Sequence, residues 1–122
     1  MKEEIKNTKE KHYKLLLVED DKFLMDMYVV KFGEYNFDVT PSFGPPDAIA
    51  KLEEGFHPDI IITDIIMPVM DGFDFLTAMK EKKLARGAVI IVLSNLGQKE
   101  DIQKAVALNA VGYIVKATST PT

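Results

Sequence analysis

Pro58–Gly72 reads PDIIITDIIMPVMDG, and the rest of the chain is organised around it. Ile60-Ile61-Ile62 is an apolar, β-branched run that ends in Thr63-Asp64. β-Branched residues favour a strand, and a run without polar alternation predicts burial on both faces, as in a parallel sheet. Ile65-Ile66-Met67 then forms a short apolar loop, broken by Pro68, and Asp71-Gly72 turns the chain into a helical pattern. A carboxylate at the C-terminal end of such a strand lies where open α/β sheets bind ligands. Asp64 is therefore the first candidate functional residue. Taken alone, it reads more ordinarily as a strand-end Asp that caps a loop, so its weight depends on its neighbours.

Working outward, strand and helix patterns alternate. Leu15-Leu16-Leu17-Val18 is a second buried-strand run, followed by Glu19, Asp20 and Asp21. A helix is predicted from Phe23 to Phe32, with Leu24, Met27 and Tyr28 on one face and Gly33 as its stop. Phe37 to Thr40 is a short strand. Pro46 suits the first turn of a brief helix carrying Ile49, Leu52 and Phe56, which Gly55 should end. After the central strand, a helix from about Asp71 to Leu84 carries Phe73, Leu76 and Met79. Ala88 to Leu93 is a fourth strand, leading to Ser94-Asn95. A helix from Lys99 to Leu108 shows Ile102, Ala105 and Val106 at helical spacing. Val111 to Val115 is a fifth strand, ending at Lys116. This alternation predicts an open, mainly parallel sheet with right-handed crossovers and helices on both faces. The connections are too short for a second domain.

The totals agree. A chain of 122 residues, 47% of them hydrophobic, fits one domain with one core. Without cysteine there is no disulfide and no thiolate metal site. No apolar run approaches the ~18–20 residues of a membrane span, and the lead-in MKEEIKNTKE has no apolar core of a signal peptide. A cytoplasmic location follows by default. A net charge of −4 argues against a general nucleic-acid surface. Residues 1–13 read as a polar extension, with Ile5 and Tyr13 as its only apolar anchors.

Four polar clusters thus follow four apolar strands: Glu19-Asp20-Asp21, Asp64, Ser94-Asn95 and Lys116. In a doubly wound sheet these strand ends open on one edge. Each has an ordinary alternative: Asp20 or Asp21 as a helix N-cap, Ser94-Asn95 as a turn, Lys116 as a surface lysine. Together they place carboxylates, a hydroxyl and an ammonium around one crevice. Clustered carboxylates repel and call for a cation. His12 and His57 lie far from the strand ends, so the ligands are oxygen, which favours Mg²⁺ or Mn²⁺ over zinc. A lysine and a hydroxyl at the same point suit a phosphoryl group, with Asp64 as an oxygen nucleophile able to form an acyl phosphate.

These residues resemble the receiver domain of two-component response regulators. The resemblance runs from Lys14 to about Lys116 and rests on LLLVEDD, DIIITDIIMPVMDGFDFL, VIIVLSN and GYIVKA. It implies a flavodoxin-like, five-stranded parallel sheet of order 2-1-3-4-5. It also implies a role for each matching position. Asp64 is the phosphoryl acceptor. Glu19 and Asp20 are the acidic pair, Asp20 a direct Mg²⁺ ligand and Glu19 acting mainly through water. The backbone carbonyl of Ile66 is a further metal ligand. Ser94 is the conformational-switch hydroxyl, Lys116 pairs with the phosphoryl group, and Tyr113 is the aromatic switch whose ring moves inward. Asp21, one place beyond the pair, has no metal role.

The chain departs from the family at two places. Ala117 stands where the family usually has a proline joined by a cis bond, and a cis bond before Ala costs about 3–4 kcal/mol. Only ATSTPT follows Lys116, too little for the family's fifth helix. Residues 14–122 therefore read as a C-terminally truncated receiver domain. Leu15–Val18 and Ile60–Ile62 are expected to be its most exposed strand residues, which leaves the chain either marginally stable or covered there by another copy of itself or by the N-terminal extension.

The function so implied is a phosphorelay receiver that takes a phosphoryl group from a histidine kinase or phosphotransfer protein and switches a surface for a downstream partner. It is a signalling module rather than a turnover enzyme, with no direct nucleic-acid or membrane partner. One competing reading is a Mg²⁺-dependent phosphatase with an Asp nucleophile, which usually needs a second acid two residues on, where this chain has Ile66. The other is a receiver-like binding module that works without phosphorylation, against which stands the intact set Glu19, Asp20, Asp64, Ser94 and Lys116.

Overall fold

In the computed structural model of the chain, residues 11–116 are described. Along them run β1 (Tyr13–Val18), α1 (Lys22–Gly33), β2 (Phe37–Ser42), α2 (Pro45–Glu53), β3 (Ile60–Thr63), α3 (Gly72–Lys82), β4 (Val89–Ser94), α4 (Lys99–Ala107) and β5 (Gly112–Val115). All neighbouring strands are parallel, in the order β2-β1-β3-β4-β5. The implied strand order is therefore the observed one. Because β1, β3 and β4 are interior strands, both faces of each need apolar side chains, which explains their unbroken runs.

The register assigns each residue its layer. Leu16, Ile61 and Ile90 lie side by side across β1, β3 and β4. With Val18 and Val92 they pack against Ala48, Ile49 and Leu52 of α2, Phe75, Leu76 and Met79 of α3, and Ala105 of α4. On the opposite face Leu15, Leu17 and Ile62 pack against Met25 of α1. Complete burial of a side chain such as Phe75 is worth about 1.5–3 kcal/mol.

Several boundaries differ from the sequence expectation, for local reasons. β1 begins at Tyr13, inside the stretch read as an extension, because Tyr13 pairs with Phe37. β2 continues to Ser42 through Pro41, which lacks an N–H donor but sits on an edge strand, where none is needed on the open side. α3 is capped by Asp71 through a reciprocal hydrogen-bonded pair with Asp74, and it ends where Lys83 adopts the left-handed conformation.

The expected exposure of β1 and β3 is corrected. Leu15 and Leu17 are 1% exposed and Ile62 is 8% exposed. Among the described residues α1 packs over them, through Met25 with Tyr28, Val29 and Phe32. The exposed apolar side chains of the sheet are Tyr13 at the start of β1, Val89 at the start of β4, and Ile114 and Val115 on β5. The expected lack of a fifth helix and the isomer of the bond after Lys116 concern residues 117–122, and most of the N-terminal extension is residues 1–10. These lie outside the described residues.

Candidate functional site

Parallel pairing brings the C-terminal ends of β1, β3, β4 and β5 to one edge, and each carries one of the clusters read from the sequence. At the end of β1, Glu19 is buried, held by its own N–H donating to the Ser42 carbonyl at 3.0 Å. Its Oε2 accepts from the Asp21 N–H at 3.0 Å. Asp21 in turn caps α1, accepting from the Leu24 N–H at 3.0 Å. The open choice of helix cap is thus settled in favour of Asp21, and Asp20 is left exposed with its carboxylate uncommitted to the cap.

Asp64 follows β3 directly. Its Oδ1 accepts from the N–H of Ile65 at 2.6 Å and of Ile66 at 3.4 Å. Its Oδ2 accepts from Lys116 Nζ at 3.1 Å. Gly72 sits hard against this turn. Its N–H donates to the Ile65 carbonyl at 2.7 Å, and a Cβ there would lie 2.2 Å from the Asp64 carbonyl oxygen. The glycine of the Asp-Gly pair is needed for close approach, so the start of α3 and the Asp64 turn are built as one piece.

Lys116 leaves β5 and returns its ammonium to the crevice, where it also lies 3.5 Å from Glu19 Oε1. Both acids and the lysine are largely buried. Burial works against the Lys116 ammonium, but the hydrogen bond to Asp64 and the charges of Asp64 and Glu19 outweigh it and raise its pKa. Burial likewise raises the Glu19 carboxyl, against the Asp21 N–H and Lys116, with Asp64 and Asp20 adding to the rise. One ammonium therefore serves two buried carboxylates.

Ser94 is fully buried at the end of β4, and its hydroxyl accepts from the Leu96 N–H at 3.2 Å. The Tyr113 hydroxyl donates to the Leu96 carbonyl at 2.6 Å, so the loop after β4 is tied to β5. Burial raises the Tyr113 phenol, and Ser94 beside it acts in the opposite sense.

Among the described residues no three His, Asp or Glu side chains converge as a ready-made metal cage. Mg²⁺ does not need one, since it is commonly held by one or two carboxylates with water and phosphate oxygens. The donor set fits. Glu19 and Asp64 set two carboxylates against the single ammonium of Lys116, the exposed Asp20 follows Glu19 directly in the chain, and no backbone N–H among the described residues donates to the Ile66 carbonyl.

Three features escaped the sequence. The acceptor for Tyr113 is a backbone carbonyl, which no residue type announces. Tyr28 reads as part of the apolar face of α1, yet its phenol, raised by burial, lies within electrostatic reach of Lys116, Glu19 and Asp64. The close approach at Gly72 was signalled by the Asp-Gly pair, which read only as a turn.

A family model described as response regulator receiver domain matches residues 15–122. The chain is 31% identical over 107 residues to the chemotaxis protein CheY of Halobacterium salinarum, covering 88% of this chain and 87% of that protein. It is also 31% identical to the response regulator SaeR of Staphylococcus aureus, covering 86% of this chain but only 44% of the relative. The structure superposes on that of the chemotaxis protein CheY4 of Vibrio cholerae with a TM-score of 0.80 and 28% identity, covering 89% of this chain and 90% of that one.

Proposed function

The chain belongs to the response regulator receiver domain family, and from that premise we propose that it is a phosphorelay receiver whose Asp64 takes a phosphoryl group from a histidine kinase or a phosphotransfer protein. The observation that carries this reading is the Asp64 carboxylate fixed by two backbone N–H groups on one oxygen and by Lys116 on the other, beside Glu19. In the transfer, an Asp64 oxygen forms the new P–O bond as the P–N bond of the phosphohistidine breaks. The imidazole leaves with that electron pair and is protonated. Lys116 passes from the carboxylate to a phosphoryl oxygen, a short move for an ammonium that already bridges two acids. Asp20, Asp64 and the Ile66 carbonyl, with Glu19 acting through water, would hold a Mg²⁺ ion, which would offset the added charge.

The buried Ser94 hydroxyl then turns from the Leu96 N–H to a phosphoryl oxygen. Because Tyr113 is bonded to the same residue, moving the loop after β4 disturbs its ring, and a partner-binding surface changes. The protein acts in this reading as a cytoplasmic signalling module, phosphorylated on itself, and not as a turnover enzyme. Incubation with acetyl phosphate and Mg²⁺ tests it: a single added phosphoryl mass is expected. Sustained release of phosphate from a simple phosphomonoester would favour a phosphatase, and no labelling at all a phosphorylation-independent binding module.

A further inference from the structure

At the opposite end of β4 from Ser94 the surface opens into a cavity of about 370 Å³, bounded by the end of α3, the loop to β4 and the residues after α4. That volume falls within the ~300–1,000 Å³ of ordinary small-molecule sites. Leu84, Ala88 and Leu108 give it a half-buried apolar lining over the core residues Leu76, Met79 and Ile90, while Lys80, Lys83 and Arg86 stand around it. No acidic residue lines it, although the chain as a whole is acidic with a net charge of −4. Local cationic character against an opposite global charge marks a place where an anion is drawn in.

Two further features point the same way. Lys80 is committed, donating to the Ala107 carbonyl at 3.1 Å, but among the described residues no ion pair engages Lys83 or Arg86. The loop is also sharply folded, with Lys83, Ala85 and Gly87 all at positive φ (56°, 52° and 88°). Among the described residues, the N–H groups of Ala85, Arg86 and Gly87 donate to no backbone acceptor. Successive free amides in a loop that alternates between left- and right-handed turns form a concavity suited to an anion.

We propose that this cavity binds an organic anion with an apolar body, the charged group held by Lys83, Arg86 and the amides of residues 85–87, the body resting on Leu84, Ala88 and Leu108. The site shares no residue with the Asp64 crevice, so it stands or falls separately from the phosphorelay reading.

Titrating ¹⁵N-labelled protein with naphthalene-2-sulfonate, without Mg²⁺, tests the proposal. Saturable amide shifts are expected at residues 83–88 and at Leu108 and Asn109. Inorganic sulfate, an anion without the body, and 2-naphthol, the body without the charge, should each bind at least about tenfold more weakly, equivalent to about 1.4 kcal/mol. The exposed double substitution Lys83→Gln with Arg86→Gln should weaken the sulfonate by a similar factor while leaving the rest of the spectrum in place. Shifts confined to other surfaces, equal binding of 2-naphthol, or unchanged binding to the double variant would each overturn it.

Discussion

Gly72 shows how little room the crevice leaves. A methyl group there would overlap the Asp64 carbonyl and the Ile65 Cα, both backbone atoms that cannot swing aside. Gly72→Ala is expected to cost about 1–3 kcal/mol, as overpacking generally does, read as a lower urea midpoint. Labelling of Asp64 should slow in the same variant, because the acceptor's own turn must shift. Ile66 and Leu96 flank the crevice with apolar side chains that cannot orient a water molecule for attack on an aspartyl phosphate. Ile66→Asn should therefore shorten the lifetime of the label, and an unchanged or longer lifetime would count against that view. Glu19 makes the stability of the fold depend on pH. Its folded carboxyl is raised, so the folded state binds this proton more tightly than the unfolded chain does. In metal-free protein the stability it lends is complete below a pH of about 4.5, the ordinary value, and is lost as pH rises through the higher folded value. Urea unfolding across that window should show a fall that is reduced in Glu19→Gln.

At the scale of elements, the strands were the most legible part of the sequence. Ile60 to Ile62, Leu15 to Val18 and Val89 to Leu93 are apolar on both faces because each lies inside a parallel sheet. The polar residues that end them gave most of the candidate site, since the four strand ends share one edge by topology alone. Boundaries were less legible. Pro41 carries no strand signal and is tolerated because β2 is an edge strand, and Tyr13 belongs to β1 because it pairs with Phe37. Exposure was misjudged because the reach of α1 depends on its position across β1 and β3, which helical spacing does not reveal. The contact between Tyr113 and the Leu96 carbonyl is also invisible in sequence, and it carries a prediction. Tyr113→Phe should leave labelling of Asp64 intact while loosening the loop after β4, detectable as faster amide exchange around Leu96.

For the whole molecule, the face of the sheet that carries α1 also carries Ile114 and Val89, while Phe23, Met27 and Val30 stand exposed along α1 itself. Soluble monomers seldom leave broad apolar areas open, so this is the surface on which copies of the chain would associate. Phe23→Gln with Val30→Gln should lower any concentration-dependent sedimentation while changing stability little, within about 0.5 kcal/mol per site as for other exposed positions. We propose that the strand ends of this fold serve to present one carboxylate, Asp64, to a phosphoryl donor. Intact mass after incubation with acetyl phosphate and Mg²⁺ tests it most directly. One phosphoryl mass should appear on the parent chain, disappear when Mg²⁺ is chelated, and be absent from Asp64→Asn. Equal labelling of Asp64→Asn and the parent would mean that Asp64 is not the acceptor.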